Sequence, residues 1–319
     1  MKQFPLLLLF TFALNSYAAS RITIADHADC ILLSNKTTRV VLCPSVGGRV
    51  LEYSLNGKHA LPLPAEGKPL NPAGRFDVGP ELVLPKRPLL WSGEWEGEIT
   101  GSHSATLVSP RSKSTGLQLE RRFTLAKDSS QLRCTQIMKN VSDQTIDTCH
   151  WSRTFAVGSG IVYLPTTLPT RFPNHYVMYL EHTVIDVRPE DANIRLRDGI
   201  LEILGPPENP KLGFDNHAGW MAYHMPHDLM FIKRYPTDTK RVYNEAAGLT
   251  ASVWYPSRMN VVELEPIGPR EVLKPGEQAS FTETWNLAEA PFPGKAAGDL
   301  DALKTLITTL PTVDSAKLR

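Results

Sequence analysis

The sequence predicts an all-β protein built from antiparallel strands, with one helix near the C-terminus. Polar and apolar side chains alternate along Val261–Glu265 and again along Phe281–Asn286, which is typical of strands. Residues 99 to 157 show no helical period and predict four further strands separated by polar turns: Ala105–Ser109, Leu117–Leu125, Leu132–Lys139 and Thr145–Val157. Only residues 299–308 place leucines at helical spacing behind a starting aspartate, so a single helix is expected at about 298–310.

The first residues predict an export signal. Lys2 precedes an apolar run, Phe4–Leu14, and small residues follow at Ser16 and Ala18. We therefore expect a signal peptide over residues 1–19, a single β-sandwich domain over 20–319, and a periplasmic or secreted location. The apolar run is too short to span a membrane, and no later segment approaches the ~20 apolar residues that a span needs.

The net charge of the chain argues against two classes of partner, nucleic acids and anionic membranes. The chain has 34 basic and 33 acidic residues. Removing the signal peptide takes away Lys2, and 34 minus 1 leaves 33 of each sign. A neutral mature chain without a basic stripe predicts neither nucleic-acid binding nor attraction to an anionic membrane.

The four cysteines are placed for hairpin disulfides. Cys30 and Cys43 are equidistant from one predicted turn, at residues 35–38, and Cys134 and Cys149 are equidistant from another, near Val141. Residues opposite each other in an antiparallel pair approach to about the spacing that a disulfide needs. An oxidising compartment favours the two bonds over the alternative of four buried free thiols. A metal site is disfavoured because no Cys-x-x-Cys or His-x-x-x-His spacing occurs.

The segment from Pro62 to Pro88 is rich in proline and glycine and holds several charged side chains. A long irregular loop inside a compact domain is usually functional or disordered. Two tryptophans just after it indicate order, because an unpacked loop would leave large aromatic surfaces in water. We expect substrate-binding side chains here: Arg75, Asp77, Glu81, Lys86 and Trp91.

Four segments, taken in order, resemble the galactose-mutarotase-like (aldose 1-epimerase-like) β-sandwich proteins, especially a secreted branch of them. The resemblance covers roughly residues 25 to 288. It is carried by Ser45–Lys58 with its double glycine, the central pair Met138–Ser142 and Thr148–Phe155, the pair Lys211–Tyr223 and Leu229–Tyr235, and the ELEPIGP, KPGE and FTETWNL pieces of Val261–Leu287. It implies a large antiparallel sandwich (supersandwich) whose concave groove holds a small sugar or oligosaccharide.

The resemblance also implies a catalytic pair. Mutarotation needs a base for the anomeric hydroxyl and an acid for the ring oxygen. In the family a glutamate on a late strand is the base, which here corresponds to Glu263 or Glu265, and histidines are the acids. His150 is the first acid candidate, although its strand lacks the family's Asn-His-x-Tyr-Phe pattern, and His224 is the second. The alternative for each is a structural role on a strand.

Other polar and aromatic side chains are candidates for holding the sugar. Trp220 and His224 share a strand face, which would place an aromatic platform beside an imidazole. Arg153 and His150 point to opposite faces of an unbroken strand, so only one of them faces the groove unless a bulge intervenes. The substrate-binding set therefore also includes Arg153, His217, Trp220 and Lys233.

These observations leave three functional hypotheses. The first is an aldose 1-epimerase-like isomerase that uses a glutamate and a histidine. The second is a non-catalytic sugar-binding protein, and the third is an accessory protein of polysaccharide processing. No nucleophile elbow, glycine-rich phosphate loop or zinc signature is present, so we predict neither a cofactor nor a metal.

Overall fold

The computed structural model describes residues 17–68, 73–181, 184–294 and 298–310. Most of the predicted signal peptide, residues 1–16, lies outside this range; the first described strand begins at Ser20. Two short 3₁₀ turns lie at Pro44–Val46 and Ala246–Gly248. The elements are β1 (Ser20–Ile24), β2 (His27–Ser34), β3 (Thr38–Cys43), β4 (Arg49–Leu55), β5 (Lys58–His59), β6 (Gly74–Gly79), α1 (Pro88–Ser92), β7 (Glu96–Gly101), β8 (Ser104–Val108), β9 (Leu117–Leu125), β10 (Leu132–Asn140), β11 (Ile146–Val157), β12 (Ile161–Pro165), β13 (Val177–Tyr179), β14 (Ile185–Asp186), β15 (Ile194–Arg197), β16 (Ile200–Ile203), β17 (Lys211–Phe214), β18 (Trp220–Met225), β19 (Leu229–Arg234), β20 (Ala251–Trp254), β21 (Val261–Pro266), β22 (Glu271–Leu273), β23 (Gln278–Glu289) and α2 (Leu300–Thr309).

The strands form two antiparallel sheets, which confirms the predicted all-β sandwich. The large sheet has the order β1-β2-β3-β4-β6-β11-β21-β20-β17-β13-β14, with β5 beside β4 and β22 beside β11. The small sheet has the order β15-β16-β12-β18-β19-β23-β10-β9-β8-β7. β9 spans the nine residues that the sequence pattern predicts, and β11 begins one residue later than predicted.

Aromatic side chains from both sheets fill the space between them. Trp285 of β23 is fully buried; its ring lies 5.5 Å from that of Phe76 and 5.8 Å from that of Tyr53, both on the large sheet. Phe231 of β19 completes the group, with its ring centroid 5.3 Å from that of Trp285. Large aromatic side chains contribute the most apolar area per residue, so this group holds the sheets together.

The two faces of β11 lie in different surroundings. One face lies in the core between the sheets, and the other lies on the outer face of the large sheet. Its residues 148–156 are all buried, yet alternate residues lie on opposite faces because side chains alternate along a strand. Ala156 and Phe76, which pairs opposite Ser152, belong to the core between the sheets. Cys149 and Trp151 belong to a separate cluster on the outer face.

A buried lysine of the small sheet joins the two sheets at this level. Lys233 Nζ lies 3.1 Å from Glu283 Oε2, and both side chains are fully buried. The ammonium group also donates to Ser152 Oγ at 2.8 Å and to Thr154 Oγ1 at 3.0 Å, across the interface between the sheets. Lys233 was predicted to bind substrate; the structure instead places it inside the sandwich, because it shares the inward face of β19 with Phe231.

The cysteines are free thiols, and the predicted disulfides are absent from the described residues. Cys30 and Cys43 lie beside each other on β2 and β3 without a bond. Cys134 lies in the core between the sheets, whereas Cys149 faces outward. The pairing of Cys134 with Cys149 is wrong because β10 and β11 belong to different sheets, so the chain between them crosses the sandwich and forms no hairpin.

The C-terminal helix packs on the outside of the sandwich, as predicted. The Asp299 side chain caps it by accepting a hydrogen bond from Ala302 N at 2.9 Å. Leu300, Leu303 and Ile307 are buried against the outer face of the small sheet. No helix among the described residues is long and apolar enough to cross a membrane.

The buried ion pair gives a prediction about stability. Lys233→Ala leaves Glu283 buried without its cation, so the free energy of unfolding should fall by about 3–5 kcal/mol. Urea unfolding followed by tryptophan fluorescence measures the change. The matched control is Lys274→Ala, because Lys274 is exposed and should change stability by no more than about 0.5 kcal/mol. Equal effects of the two variants would contradict a structural role for the pair.

Candidate functional site

A cleft of about 680 Å³ opens on the outer face of the large sheet. We call it the β11 cleft, because Arg153 of β11 lies in its wall. Its volume is within the usual range for small-molecule sites, about 300–1,000 Å³. It is lined by Glu81, Leu82, Arg153, Tyr179, Leu180, Glu181, Pro210, Lys211, Glu245 and Trp254.

Strand register gathers charged side chains beside the cleft. β11 lies between β6 and β21, with Arg153 opposite Arg75 on one side and Phe155 opposite Glu263 on the other. Arginines placed directly across from each other repel, so this arrangement requires neighbouring carboxylates. Asp77 on β6 and Glu263 on β21 supply them.

Arg153 is the centre of the charged network. Its Nε lies 2.9 Å from Glu263 Oε1, its Nη2 lies 3.4 Å from Glu263 Oε2, and its Nη1 lies 3.1 Å from Glu81 Oε1. Burial alone would lower the pKa of Arg153, but the carboxylates of Glu263, Glu265 and Glu81 raise it well above its ordinary value. Glu263 is fully buried beneath the guanidinium and is the ion-pair partner of Arg153.

Glu265 lies two residues further along β21, and its surroundings favour the protonated carboxyl group. It is fully buried, and its Oε2 accepts a hydrogen bond from Trp151 Nε1 at 2.6 Å. Burial, and then the nearby Glu263 carboxylate, raise the pKa of Glu265 to about 8, against the opposing effect of Arg153 and Lys211. Glu265 is therefore mostly protonated at neutral pH, while Glu263 beside it is paired with a cation.

The loop after β6 is fixed to the cleft by Glu81. Its carboxylate bridges Arg153 and Lys211, with Lys211 Nζ 2.7 Å from Glu81 Oε2. Burial raises the pKa of Glu81, but the two cations outweigh burial and lower it overall. The Glu81 backbone N–H donates to Glu245 Oε2 at 2.9 Å, so both the side chain and the backbone of Glu81 hold the loop at the cleft.

Trp91, on the short helix α1, stacks on the arginines. The Arg75 guanidinium carbon lies 3.6 Å from the centre of the Trp91 ring, and that of Arg153 lies 5.2 Å away. Arg87 follows the same loop and pairs with Asp77, with Nε 2.7 Å from Oδ1. Arg75, Asp77, Glu81 and Trp91 are thus brought together, and of these four Glu81 lines the cleft, whereas Lys86 is exposed.

The double glycine, Gly47 and Gly48, makes room for α1 and the residues that follow it. Gly47 has a φ of +76°, and a Cβ there would lie 2.3 Å from the Trp91 carbonyl oxygen. Gly48 has a φ of +58°, and a Cβ there would lie 2.6 Å from the Trp95 ring. Only glycine permits both the left-handed backbone and the close approach of α1.

The histidines expected to act as acids lie elsewhere. β11 has no bulge at His150, so this residue faces the core between the sheets, where its ring stacks on Phe281 at 5.6 Å. Burial lowers the pKa of His150 to about 3, so the ring is neutral. It lies on the opposite face of the large sheet from the outward-facing Arg153, and it cannot work with the two glutamates.

The remaining candidates also lie away from the cleft. His224 lines a separate cavity of about 400 Å³ under α2 on the small sheet, and its Nε2 lies 2.9 Å from Ala290 O. Trp220 packs in the same cluster below α2. The His217 ring contacts Tyr243, with the ring centroids 5.5 Å apart. No histidine is among the described residues that line the β11 cleft.

Sequence reasoning missed several side chains of the site. Trp151 is one of them, although strand alternation alone places it on the same face of β11 as Arg153. Lys211, whose Nζ lies 5.2 Å from the Trp151 ring and 5.1 Å from the Tyr179 ring, comes from β17. Tyr179, Trp254 and Glu245 likewise reach the cleft from distant segments, and no local pattern marks them.

Comparisons with known proteins identify the architecture. No family model and no curated protein matches the chain. Solved structures do match. A galactose mutarotase-like protein from Lactobacillus casei has a TM-score of 0.57 at 9% identity, covering 81% of this chain and 100% of its own. An aldose epimerase homologue from C. elegans has a TM-score of 0.57 at 10% identity, covering 86% and 100%.

A third structure gives the same result. A galactose mutarotase-like protein from Clostridium acetobutylicum has a TM-score of 0.54 at 10% identity and covers 86% of this chain and 99% of its own. Identities this low support a shared architecture and not a shared activity. The chain therefore has the galactose mutarotase-like β-sandwich fold.

Proposed function

We propose that the protein binds a saccharide in the β11 cleft. The observation that carries this proposal is the lining of the cleft: the aromatic side chains of Tyr179 and Trp254 lie with Arg153, Lys211 and Glu81 around one cavity. Aromatic rings pack on the apolar faces of sugars, and charged groups hydrogen-bond their hydroxyls. The names of the similar structures, galactose mutarotase-like protein and aldose epimerase homologue, also favour a sugar.

The cleft favours binding over glutamate–histidine catalysis. That mechanism needs a base and an acid on either side of one sugar ring. Both oxygens of Glu263 are held by Arg153, and no histidine is among the described residues of the cleft wall. The non-catalytic sugar-binding protein is therefore the proposed function, and an accessory role in polysaccharide processing fits within it.

One observation favours an isomerase as the second candidate. Glu263 and Glu265 are neighbouring carboxyl groups in different states, one paired with Arg153 and the other with its pKa raised to about 8. Neighbouring carboxyl groups of which one is held protonated by its surroundings are typical of acid–base pairs. In this candidate Glu263 is the base and Glu265 is the acid.

We also propose that the mature protein is periplasmic or secreted. The support is the sequence of residues 1–19, with its basic start, apolar run and small residues before the cleavage position.

A pair of tryptophan variants tests sugar binding. Trp254 lines the cleft, and its ring packs edge-on against Phe155 at 6.2 Å. Trp254→Ala should weaken saccharide binding at least roughly 5-fold, because an aromatic contact of this kind contributes on the order of 1 kcal/mol. Isothermal titration calorimetry across a panel of aldoses and uronic acids gives the affinities.

The control is Trp220→Ala, because Trp220 has similar partial burial but lies on the small sheet beneath α2. It should leave affinity unchanged. Equal losses in both variants, or no binding by the wild-type protein to any saccharide, would contradict the proposal.

Exchange NMR of sugar anomers distinguishes the two candidates. The sugar-binding protein should leave the rate of anomer exchange at its spontaneous value. The isomerase should accelerate it, and the acceleration should disappear in Glu263→Gln and Glu265→Gln. It should also decline as the pH rises past about 8, because the acid would then lose its proton.

A further inference from the structure

The β11 cleft extends across the strands of the large sheet. Its lining includes Arg153 on β11, Trp254 on β20, Lys211 on β17 and Tyr179 on β13. In the sheet these strands lie in the order β11-β21-β20-β17-β13. Neighbouring strands are about 4.8 Å apart, so the distance from β11 to β13 is roughly 19 Å at the backbone. The cleft is therefore longer than a single sugar ring.

Strand register places two aromatic side chains of the cleft in one row. Trp254 of β20 pairs opposite Lys211 of β17. Met178 of β13 pairs opposite Leu212 of β17, and the next position in this register sets Tyr179 beside Lys211. Lys211 Nζ lies 5.1 Å from the centre of the Tyr179 ring, in agreement with that register. Trp254 and Tyr179 are thus two strand spacings apart, roughly 10 Å at the backbone.

Both rings are partly exposed and are held from the side. The Trp254 ring packs edge-on against the buried Phe155, with the ring centroids 6.2 Å apart. Tyr179 packs against the buried cluster that contains Trp151. An aromatic ring fixed in this way is suited to stacking on the apolar face of a sugar. Because of their separation, one sugar ring can stack on only one of the two at a time.

An ion pair lies between the two aromatic side chains. Lys211 Nζ is 2.7 Å from Glu81 Oε2, and the two side chains are 21% and 34% exposed. A sugar hydroxyl can accept a hydrogen bond from the ammonium group and donate one to the carboxylate. The row across the cleft therefore consists of an aromatic ring, a charged pair and a second aromatic ring.

We propose that the β11 cleft binds an extended oligosaccharide of at least three units, with two alternate units on Trp254 and Tyr179 and the unit between them on Lys211 and Glu81. This rests on the proposed function. In an extended β-1,4-linked chain, alternate rings lie about two strand spacings apart. Alternate rings of such a chain also present the same face to one side, so both can stack on the same wall.

The first test changes the ligand and leaves the protein intact. Calorimetry gives the affinity of the wild-type protein for cello-, β-1,4-manno- and β-1,4-galacto-oligosaccharides of one to five units. In a series that binds, affinity should rise at least roughly 10-fold from one unit to three, because the third unit reaches the second ring. It should change little from three units to five. Malto-oligosaccharides, whose chain is bent, should show a smaller rise.

The second test uses three variants and the same chain-length series. Tyr179→Ala should abolish the gain from two units to three, so that the trisaccharide binds no more than about 2-fold more tightly than the disaccharide. Tyr179→Phe should keep the gain, because the ring remains. Trp220→Ala is the matched control, since Trp220 is a partly buried aromatic residue beneath α2. Thermal unfolding of each variant confirms that it is folded.

Three results would overturn the inference. A monosaccharide binding as tightly as its trisaccharide would refute the oligosaccharide site and leave the saccharide proposal standing. A gain from two units to three that persists in Tyr179→Ala would refute the role of the second ring. Absence of binding to every monosaccharide and oligosaccharide would refute both the inference and the proposed function.

Discussion

The unbroken alternation of β11 is the constraint on which the site depends. With no bulge along the strand, His150, Ser152 and Thr154 must face the small sheet while Trp151 and Arg153 face outward. Ser152 and Thr154 accept hydrogen bonds from the fully buried Lys233, and Trp151 and Arg153 bond to two glutamates of β21. One strand therefore supplies partners to two separate charged networks, one that joins the sheets and one beside a cleft.

Most charged side chains around the cleft form ion pairs with one another. Arg153 is shared by Glu263 and Glu81, and Lys211 is held by Glu81, so most charged groups there already have a partner. Such groups are held in fixed positions, which suits recognition of a ligand more than proton transfer. Arg75 and Glu265 differ from the others, because one lacks an anion and the other is kept protonated by burial. The isomerase candidate concerns Glu265.

Local patterns in the sequence predicted the all-β class, several strand boundaries and the C-terminal helix. These follow from alternation and capping, which act over a few residues. The pairing of Cys134 with Cys149 was wrong because the turn between β10 and β11 looks like a hairpin locally but crosses between sheets. The placement of Lys211, Tyr179 and Trp254 around Arg153 depends on contacts between distant strands. No local sequence pattern predicts such contacts. The inward position of His150 could have been predicted, since alternation already placed His150 and Arg153 on opposite faces of the strand.

The central claim is that the outer face of the large sheet, and not the cavity under α2, receives a saccharide. The most direct test is titration of ¹⁵N-tryptophan-labelled protein with galacturonate, followed through the indole N–H signals. The account predicts shifts at Trp151, whose indole is bonded to Glu265, and at Trp91 and Trp254, with Trp220 and Trp285 unchanged. Shifts at Trp220 alone, or at no tryptophan while binding is detected, would contradict it.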